Sequence, residues 1–414
     1  MGNIKKNKAF FNFGLPVVLA LFAVGALYKM HMLPFLDSML NENNSRLSKV
    51  FLLSQVNYHH EFFPFSRRPL TTFLINAFAD FFGAEKGTAF VCVNFSLLFV
   101  AGMLLYLLSS HLGQNVKKSL INMTVFYGSF SVCFAFFPPI FSYDEPLQYS
   151  LVFAGMLFFF KKGWWQYVVL FTLAAISKES TVLLVFGLLP LAKLSSPKQQ
   201  FGLKNVFRIV LPVVLFGIYL TLFSWYTNAW NALGTEISQR TSCLAQNFGT
   251  PKKILETVFS FFLALSPFLY LVLAKYKTHS KSPFLKGFLL VLALNSVIVM
   301  VAALARESRL FALPLLLLWP VFSKLFYPDI KMLFNKKNWR FVFENPSRRM
   351  IYFGLTILNI ALCYAYHQLG FGIDNLFAAY LLVALQIMLS HFCMLQFLPP
   401  RYVTEASPKT PAQK

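Results

Sequence analysis

Charged residues are scarce in this chain: they make up 13% of its 414 residues, whereas hydrophobic residues make up 57%. Soluble domains carry about a quarter of their residues as charges, so this composition excludes an ordinary soluble domain. The 50 phenylalanines and the other apolar residues fall in runs that approach the roughly 20 residues needed to span a bilayer. The composition therefore predicts an all-α, polytopic membrane protein.

Cysteine is also rare, and the five cysteines show neither the spacing of a metal-binding motif nor that of a disulfide framework. No internal repeat is recognisable. The first apolar run, at residues 10–28, is long for a signal peptide and lacks a small-residue cleavage site. We therefore expect this run to be retained as the first helix. The sequence implies no definite cofactor, although a divalent cation at the acidic residues described below is possible.

Acidic residues are the scarcest charged group, 15 against 37 Lys and Arg. The apolar segments between residues 10 and 398 predict about twelve transmembrane helices. With a cytoplasmic N-terminus, most Lys and Arg residues fall on the cytoplasmic side, as the positive-inside rule requires. The net charge of +22 is therefore interpreted as a sign of topology and not of nucleic-acid binding, and both termini are predicted to be cytoplasmic.

Four regions follow from this pattern. Residues 1–323 are predicted to form the membrane core, which includes a first outer loop at residues 29–87. Residues 324–349 are predicted to be a basic cytoplasmic linker, residues 350–398 a C-terminal transmembrane hairpin, and residues 399–414 a cytoplasmic tail.

The first outer loop contains a helical pattern. Residues 69–82 repeat apolar side chains at i, i+3 and i+4 spacing, and Pro69 suits the first turn of a helix. We predict an interfacial amphipathic helix here, lying in the outer surface of the membrane. Arg67 and Arg68 precede its N-terminus, and a helix N-terminus is a favourable place for an anion.

The acids concentrate at the predicted outer ends of the spans. Asp37 and Glu61 fall in the first outer loop, where Glu61 and its histidine neighbours are expected to be solvated. Asp144 and Glu145 are adjacent at the start of an apolar run. Such a pair either caps the following helix or serves a site, where it could bind a metal, orient an acceptor or transfer a proton.

Two further outer segments combine both signs of charge. Lys178 and Glu179 lie between two short apolar runs. This pattern predicts either a salt-bridged turn or a break between two helices that line a cavity. Arg306, Glu307 and Arg309 are either interfacial anchors or part of an anion site. The Arg fork and the Lys point charge both suit a phosphate or pyrophosphate.

These stretches, in this order, resemble the GT-C superfamily of membrane glycosyltransferases, and most closely the branch of TPR-repeat transmembrane O-mannosyltransferases, here without the TPR repeats. The likeness is carried by FLDSMLNENN with its single Asp37, RRPLTTFLINAF, FPPIFSYDEP, the Ser177-Lys178-Glu179 turn and ARESRLFALP. In this sequence Arg67 stands where that branch usually has Tyr, and Pro138 where it usually has His.

The resemblance implies a membrane enzyme of the cell envelope, placed in a bacterial inner membrane. It would transfer a sugar from a polyprenyl-phosphate donor to a glycan, lipid or protein acceptor on the outer face. Asp37 would be the catalytic base, with Asp144 and Glu145 as the second acidic motif. The donor phosphate would be held by five basic residues, Arg67, Arg68, Lys178, Arg306 and Arg309. Three acids, Glu61, Glu179 and Glu307, would support the site.

Two other functions fit the same charges. A multi-pass transporter or flippase could use them to hold a lipid-linked or anionic substrate, and an inactive membrane scaffold could retain them without turnover. A transporter of the repeat type is expected to show related halves and ionisable residues near the membrane midplane. The outer position of the charges and the lack of a recognisable repeat favour the enzyme.

Overall fold

The computed structural model describes residues 13–31, 49–63, 65–136, 142–192, 203–228, 240–371 and 376–399. These residues form helices and connections, and no β-strand occurs among them, which agrees with the predicted all-α class. Asp37 lies outside the described residues, together with the rest of the FLDSMLNENN stretch and most of the C-terminal tail.

The N-terminal half contains nine described helices that end before residue 190. They are α1 (Leu15–His31), α2 (Lys49–Glu61), α3 (Pro69–Phe82), α4 (Lys86–His111), α5 (Val116–Tyr127), the short α6 (Phe130–Cys133), α7 (Glu145–Phe160), α8 (Trp164–Ser177) and α9 (Thr181–Leu188).

The C-terminal half contains longer helices and one segment that alternates between helix types. It comprises α10 (Leu203–Tyr226), α11 (240–248), α12 (Pro251–Ala274), the short α13 (Tyr276–His279) and α14 (Pro283–Ala302). There follow a 3₁₀ turn (Ser308–Ala312), α15 (Leu315–Leu318), a second 3₁₀ turn (Trp319–Val321), α16 (Phe322–Phe334), α17 (Lys336–Glu344), α18 (Pro346–Gln368) and α19 (Leu376–Phe397).

Seven helical segments of the described residues are long and apolar enough to cross a membrane. They are Lys86–His111, Val206–Tyr226, Pro251–Ala274, Pro283–Ala302, Ser308–Phe334, Pro346–Gln368 and Leu376–Phe397. The expected number of about twelve is not reached, because five of the expected spans are shorter helices. As described, α1, α5, α7, α8 and α9 have 17, 12, 16, 14 and 8 residues, fewer than the roughly 20 that span a bilayer. The long apolar helices nevertheless indicate a multi-pass integral membrane protein.

Helix α7 lies at the centre of the packed core and contacts α4 on one side and α8 on the other. Trp319 is fully buried, and its indole ring meets the rings of Phe126 and Tyr149 edge to face. The peripheral helices α10 and α18, by contrast, leave large apolar side chains such as Ile218 and Ile357 exposed. An apolar outer surface on long helices is what contact with lipid requires.

Helix α3 forms where the sequence predicts it, and it buries its small and polar side. Thr71, Thr72 and Ile75 pack against the protein, and the Thr72 hydroxyl lies 2.8 Å from the hydroxyl of Tyr143. Phe73 and Phe81 on the other side are exposed. The aromatic residues Phe73 and Phe81 therefore face away from the core, whereas Ile75 is buried in it.

Several polar residues inside the helices pair with a neighbouring segment. The Asn122 amide donates to the Pro320 carbonyl at 2.9 Å, and the Asn295 amide donates to the Leu310 carbonyl at 2.9 Å. His391 lies 3.0 Å from Asp329. Asn94 differs, since it bonds to the Phe90 carbonyl of its own helix.

Candidate functional site

The Ser-Lys-Glu stretch forms a tight break between two helices. Helix α8 ends at Ser177 and α9 begins at Thr181, and the Thr181 amide donates to the Lys178 carbonyl at 3.0 Å. The Thr181 hydroxyl donates to the Ala174 carbonyl at 3.0 Å, and the Gln148 amide of α7 donates to the Thr181 hydroxyl at 2.8 Å. The turn is thereby fixed against α7, and Lys178 and Glu179 lie where two short helices meet.

Glu179 contacts three arginines from two distant parts of the chain. Its carboxylate accepts hydrogen bonds from Arg67 and, at 3.3 Å, from Arg68, the two residues that precede α3. Arg240, at the start of α11, lies 4.0 Å from the same carboxylate. The Tyr219 hydroxyl of α10 donates to the Arg67 carbonyl at 2.8 Å and holds this segment in place.

Glu145 occupies a similar position between two cations. Its carboxylate accepts a hydrogen bond from the Lys178 ammonium and lies 3.6 Å from the Arg309 guanidinium. Arg309 also lies 3.5 Å from Glu307 and donates to the Ala135 carbonyl at 3.1 Å. The acidic motif at Glu145 and the basic residues Lys178 and Arg309, which the sequence predicts as separate motifs, therefore meet. More than a hundred residues separate Glu145 from Arg309.

A cavity of about 540 Å³ lies beside these ion pairs. Its charged lining residues are Arg68, Lys178, Arg240 and Arg309 with Glu145, Glu179 and Glu307, four cations against three carboxylates. Its remaining wall is mainly apolar and includes Ile298, Val299, Leu304, Leu310 and Leu313. The cavity lining therefore combines charged with aliphatic side chains.

One guanidinium nitrogen in this lining, Nε of Arg68, is buried and has no acceptor among the described residues. Buried donors in folded proteins are nearly always hydrogen-bonded, so an unsatisfied donor at a cavity wall favours an anionic ligand.

Burial shifts the ionisation of the acids around the cavity in different directions. The pKa of Glu307 is raised because burial outweighs the attraction of Arg309. The pKa of Glu179 is lowered, since Arg68 and Arg67 outweigh its burial. Burial raises the pKa of Asp144 to about 6 against the opposing charge of Arg68. Glu307 and Asp144 are thus the acids of this region whose pKa values move towards neutrality.

Asp144 lies behind the cavity wall and is fully buried. Its carboxylate accepts a hydrogen bond from Ser142 at 3.3 Å and lies 4.0 Å from the His59 ring. Of the predicted acidic pair, Glu145 reaches the cavity and Asp144 does not. Asp144 and Glu145, which were predicted to act as one acidic motif, therefore have different surroundings.

The expected solvated loop around His59 and Glu61 is a helix instead. His59 is buried near the end of α2, and its ring stacks on Tyr143 with centroids 4.0 Å apart and on Phe65 at 4.7 Å. Glu61, the last residue of α2, is exposed and does not line the cavity. Sequence gives little sign of this helix, because apolar and polar residues of α2 are mixed around its circumference.

Neither Arg306 nor Arg67 lines the cavity. Arg306 is exposed, whereas Arg67 is buried against Glu179. Within the part of the chain that the structure describes, no group of three or more His, Cys, Asp or Glu residues is arranged to hold a metal ion. The lining cations are therefore Arg68, Lys178 and Arg309 from the predicted set, joined by Arg240.

Arg240 is the lining cation that the sequence did not reveal. It falls in a polar stretch between two long apolar runs, where no local pattern distinguishes it from the neighbouring residues. Only the tertiary contact with Glu179 brings it to the site.

No model of a known protein family matches this chain, and no curated protein or solved structure is significantly similar to it.

Proposed function

We propose that the protein is a membrane glycosyltransferase that moves a sugar from a polyprenyl-phosphate donor to an acceptor on the extracytoplasmic face. The observation that carries this proposal is the amphipathic cavity, whose lining combines four cations and three carboxylates with aliphatic side chains. A polyprenyl phosphate has the same division, with an anionic head and an apolar tail. Cavity and ligand are therefore complementary in both charge and polarity.

The cations suit a departing phosphate. Arg68 offers a buried guanidinium donor, Nε, that makes no hydrogen bond within the described residues, Arg309 adds a second guanidinium and Lys178 adds a point charge. In glycosyl transfer, the acceptor oxygen forms a bond to the anomeric carbon while the bond from that carbon to the phosphate oxygen breaks. Positive charge fixed beside the phosphate stabilises the negative charge that develops as it departs.

The reaction also needs a base that takes the proton of the acceptor hydroxyl. Asp37 is our candidate, on the strength of the family resemblance. Glu145 has a different role in this proposal, because the carboxylate lies between Lys178 and Arg309 and orients both cations. Glu179 contacts Arg68 and Arg240 and competes with the phosphate for both arginines.

The proposal is tested by lipid binding and by turnover. Purified protein is titrated with decaprenyl phosphate, and binding is compared between Arg309→Gln and Arg306→Gln. Arg309 lines the cavity and Arg306 does not, so the pair is matched in residue type and sequence position. A charge-assisted hydrogen bond contributes about 1.5–3 kcal/mol, which predicts about a 10- to 100-fold loss for Arg309→Gln and no loss for Arg306→Gln.

Folding and turnover complete the test. Arg240→Gln serves as a second variant because the Arg240 side chain is 38% exposed and its loss is less harmful to folding. Membranes that contain the protein are then incubated with radiolabelled polyprenyl-phosphate sugars, and transfer to endogenous acceptors is measured. Equal binding of decaprenyl phosphate by the Arg306 and Arg309 variants would rule out a phosphate site at Arg309. Binding without transfer, but with movement of the lipid across proteoliposomes, would support a flippase.

A further inference from the structure

The second concentration of charge lies far from the cavity, where α16, α17 and α18 meet. We define the basic corner as Lys331, Lys336, Lys337, Arg348 and Arg349. Lys331, Lys336, Lys337 and Arg349 are exposed and Arg348 is partly exposed. Residues 324–349, predicted to be a basic linker, are almost entirely helical.

Few acids offset this charge. Between residues 324 and 349 the only acids are Asp329 and Glu344. Asp329 is buried and lies 3.0 Å from both Lys275 and His391, so it faces inward. Glu344 lies 3.1 Å from Arg340, which is not part of the basic corner. The basic corner therefore keeps a local excess of positive charge.

The corner is also well fixed. The Asn335 side chain accepts from the Lys337 amide at 3.1 Å, and the Asn345 side chain accepts from the Ser347 amide at 2.9 Å, so both α17 and α18 have capped N-termini. The Trp339 indole donates to the Leu333 carbonyl at 2.7 Å, which ties α17 to the end of α16. The cations project from a rigid scaffold.

Large apolar side chains surround the cations. Phe334 is 83% exposed and Met350 is 74% exposed, and Phe353 is exposed as well. The Arg348 guanidinium lies 4.5 Å from the ring centroid of Phe341. Cations next to exposed apolar residues at the end of long apolar helices form the pattern that binds an anionic membrane surface. A nucleic-acid site would not need the exposed apolar side chains.

The basic corner and the cavity belong to opposite ends of one candidate span. Arg309 and Leu313 of the cavity lie near the start of Ser308–Phe334, whereas Lys336 and Lys337 follow its end. This segment has 27 residues, and about 20 helical residues cover the roughly 30 Å of the hydrocarbon core. We therefore expect the basic corner at the membrane surface opposite the cavity.

We propose that the basic corner is a binding site for the headgroups of anionic phospholipids. The Lys and Arg side chains bind the phosphates, while Phe334, Met350 and Phe353 insert among the acyl chains. This site is independent of the proposed transfer reaction, because it shares no residue with the cavity.

The test compares two lysine pairs, each in the first turn of a helix. Lys336 and Lys337 begin α17, and Lys252 and Lys253 lie in the first turn of α12. In each pair the second lysine donates its amide to a capping side chain, Asn335 in one and Thr250 in the other. Both pairs are exposed, so Lys336→Gln/Lys337→Gln and Lys252→Gln/Lys253→Gln remove the same charge from the first turn of a helix.

Detergent-purified protein is titrated with dioctanoyl phosphatidylglycerol and with dioctanoyl phosphatidylcholine. Each cation near an anionic surface is worth about a fivefold change in affinity. We therefore expect the preference for phosphatidylglycerol to fall by at least about tenfold in Lys336→Gln/Lys337→Gln and to stay within about twofold in the control pair. The preference should also weaken as ionic strength rises.

Two outcomes would overturn the proposal. One is an equal response of both lysine pairs to phosphatidylglycerol. The other is tighter binding of homopolymeric RNA than of phosphatidylglycerol, abolished by Lys336→Gln/Lys337→Gln, which would make the corner a nucleic-acid site. Decaprenyl phosphate binding should be unchanged in this variant, so a failure here is distinguishable from a failure of the proposed function.

Discussion

Replacement of Glu179 by Gln isolates the charge that holds three arginines together. The carboxylate contacts Arg67, Arg68 at 3.3 Å and Arg240 at 4.0 Å. Glutamine keeps the size of the side chain and one acceptor oxygen but removes the negative charge. The side chains of Arg67 and Arg68 are only 8% and 11% exposed, so water cannot replace the lost charge well. We expect Glu179→Gln to destabilise the protein.

The size of the effect follows from the contacts. Two unit charges 4 Å apart attract by about 4 kcal/mol at an effective dielectric constant of 20, and breaking a buried pair typically costs about 3–5 kcal/mol. The Glu179 side chain is 22% exposed, and glutamine retains a hydrogen bond. These two facts reduce the expected loss in the free energy of unfolding to about 2–4 kcal/mol.

Glu85 supplies the control. Its carboxylate also forms an ion pair, 2.8 Å from the ammonium of Lys49, but both side chains are more than half exposed. An exposed pair contributes at most about 1 kcal/mol. The free energy of unfolding of Glu85→Gln should therefore stay close to that of the wild type. Similar losses in the two variants would show that the three arginines do not depend on the charge of Glu179.

The same substitution should have the opposite effect on ligand binding. Glu179 competes with a phosphate for Arg68 and Arg240, and both arginines line the cavity. Without that competitor, decaprenyl phosphate should bind several-fold more tightly to Glu179→Gln than to the wild type. A variant that is less stable and yet binds more tightly cannot be explained by partial unfolding. Weaker binding would contradict the proposed phosphate site.

The pH dependence gives a second check on the stability effect. Burial raises the pKa of Glu179, but Arg68 and Arg67 lower it more, so it lies below its ordinary value of 4.5. A carboxylate with a lowered pKa in the folded state stabilises the protein above its unfolded pKa and loses that contribution as pH falls through its folded pKa. Thermal unfolding should therefore separate the wild type from Glu179→Gln fully above pH 4.5 and progressively less below it. A separation that does not change with pH would refute this account.

Two further predictions concern groups outside the lining. Burial raises the pKa of Asp144 from 3.8 to about 6, so ionisation of Asp144 costs the folded state about 3 kcal/mol, and Asp144→Asn should gain stability relative to the wild type as pH rises from 4 to 7 in thermal unfolding. A Cβ on Gly287 would lie 2.4 Å from the Gly187 carbonyl oxygen, so Gly287→Ala should destabilise by about 1–3 kcal/mol, whereas Gly217→Ala, with nothing within 4 Å, should be neutral or slightly stabilising.

Local patterns predict the helices that carry the site better than they predict the number of spans. Pro69 fixes the start of α3, and the break at Lys178 and Glu179 follows from two short apolar runs. The apolar runs do not show how long each helix is. Helix α9, for example, ends at Leu188, and its length depends on its packing against α14 at Gly187 and Gly287.

The composition of the site is less predictable, because it depends on contacts between distant residues. Asp144 and Glu145 are equivalent in sequence, but the start of α7 directs Glu145 to Lys178 and leaves Asp144 buried near His59. Arg240 joins Glu179 across more than fifty residues of chain. Charge type and the predicted outer position therefore indicate which residues lie close together in the fold. The tertiary contacts decide which of them line the cavity.

The ion pairs also bear on where a catalytic base would come from. Each of the three acids that line the cavity has a cationic partner: Glu145 has Lys178, Glu179 has Arg68, and Glu307 has Arg309. A carboxylate whose pKa is lowered by adjacent positive charge, as that of Glu179 is, binds a proton weakly and is a poor base unless a ligand draws its partner away. Glu307 differs, because burial outweighs the attraction of Arg309 and raises its pKa. Asp144 also has a raised pKa but does not line the cavity. The ion pairs therefore argue against Glu145 and Glu179 as the base, and Asp37 remains our candidate on the strength of the family resemblance.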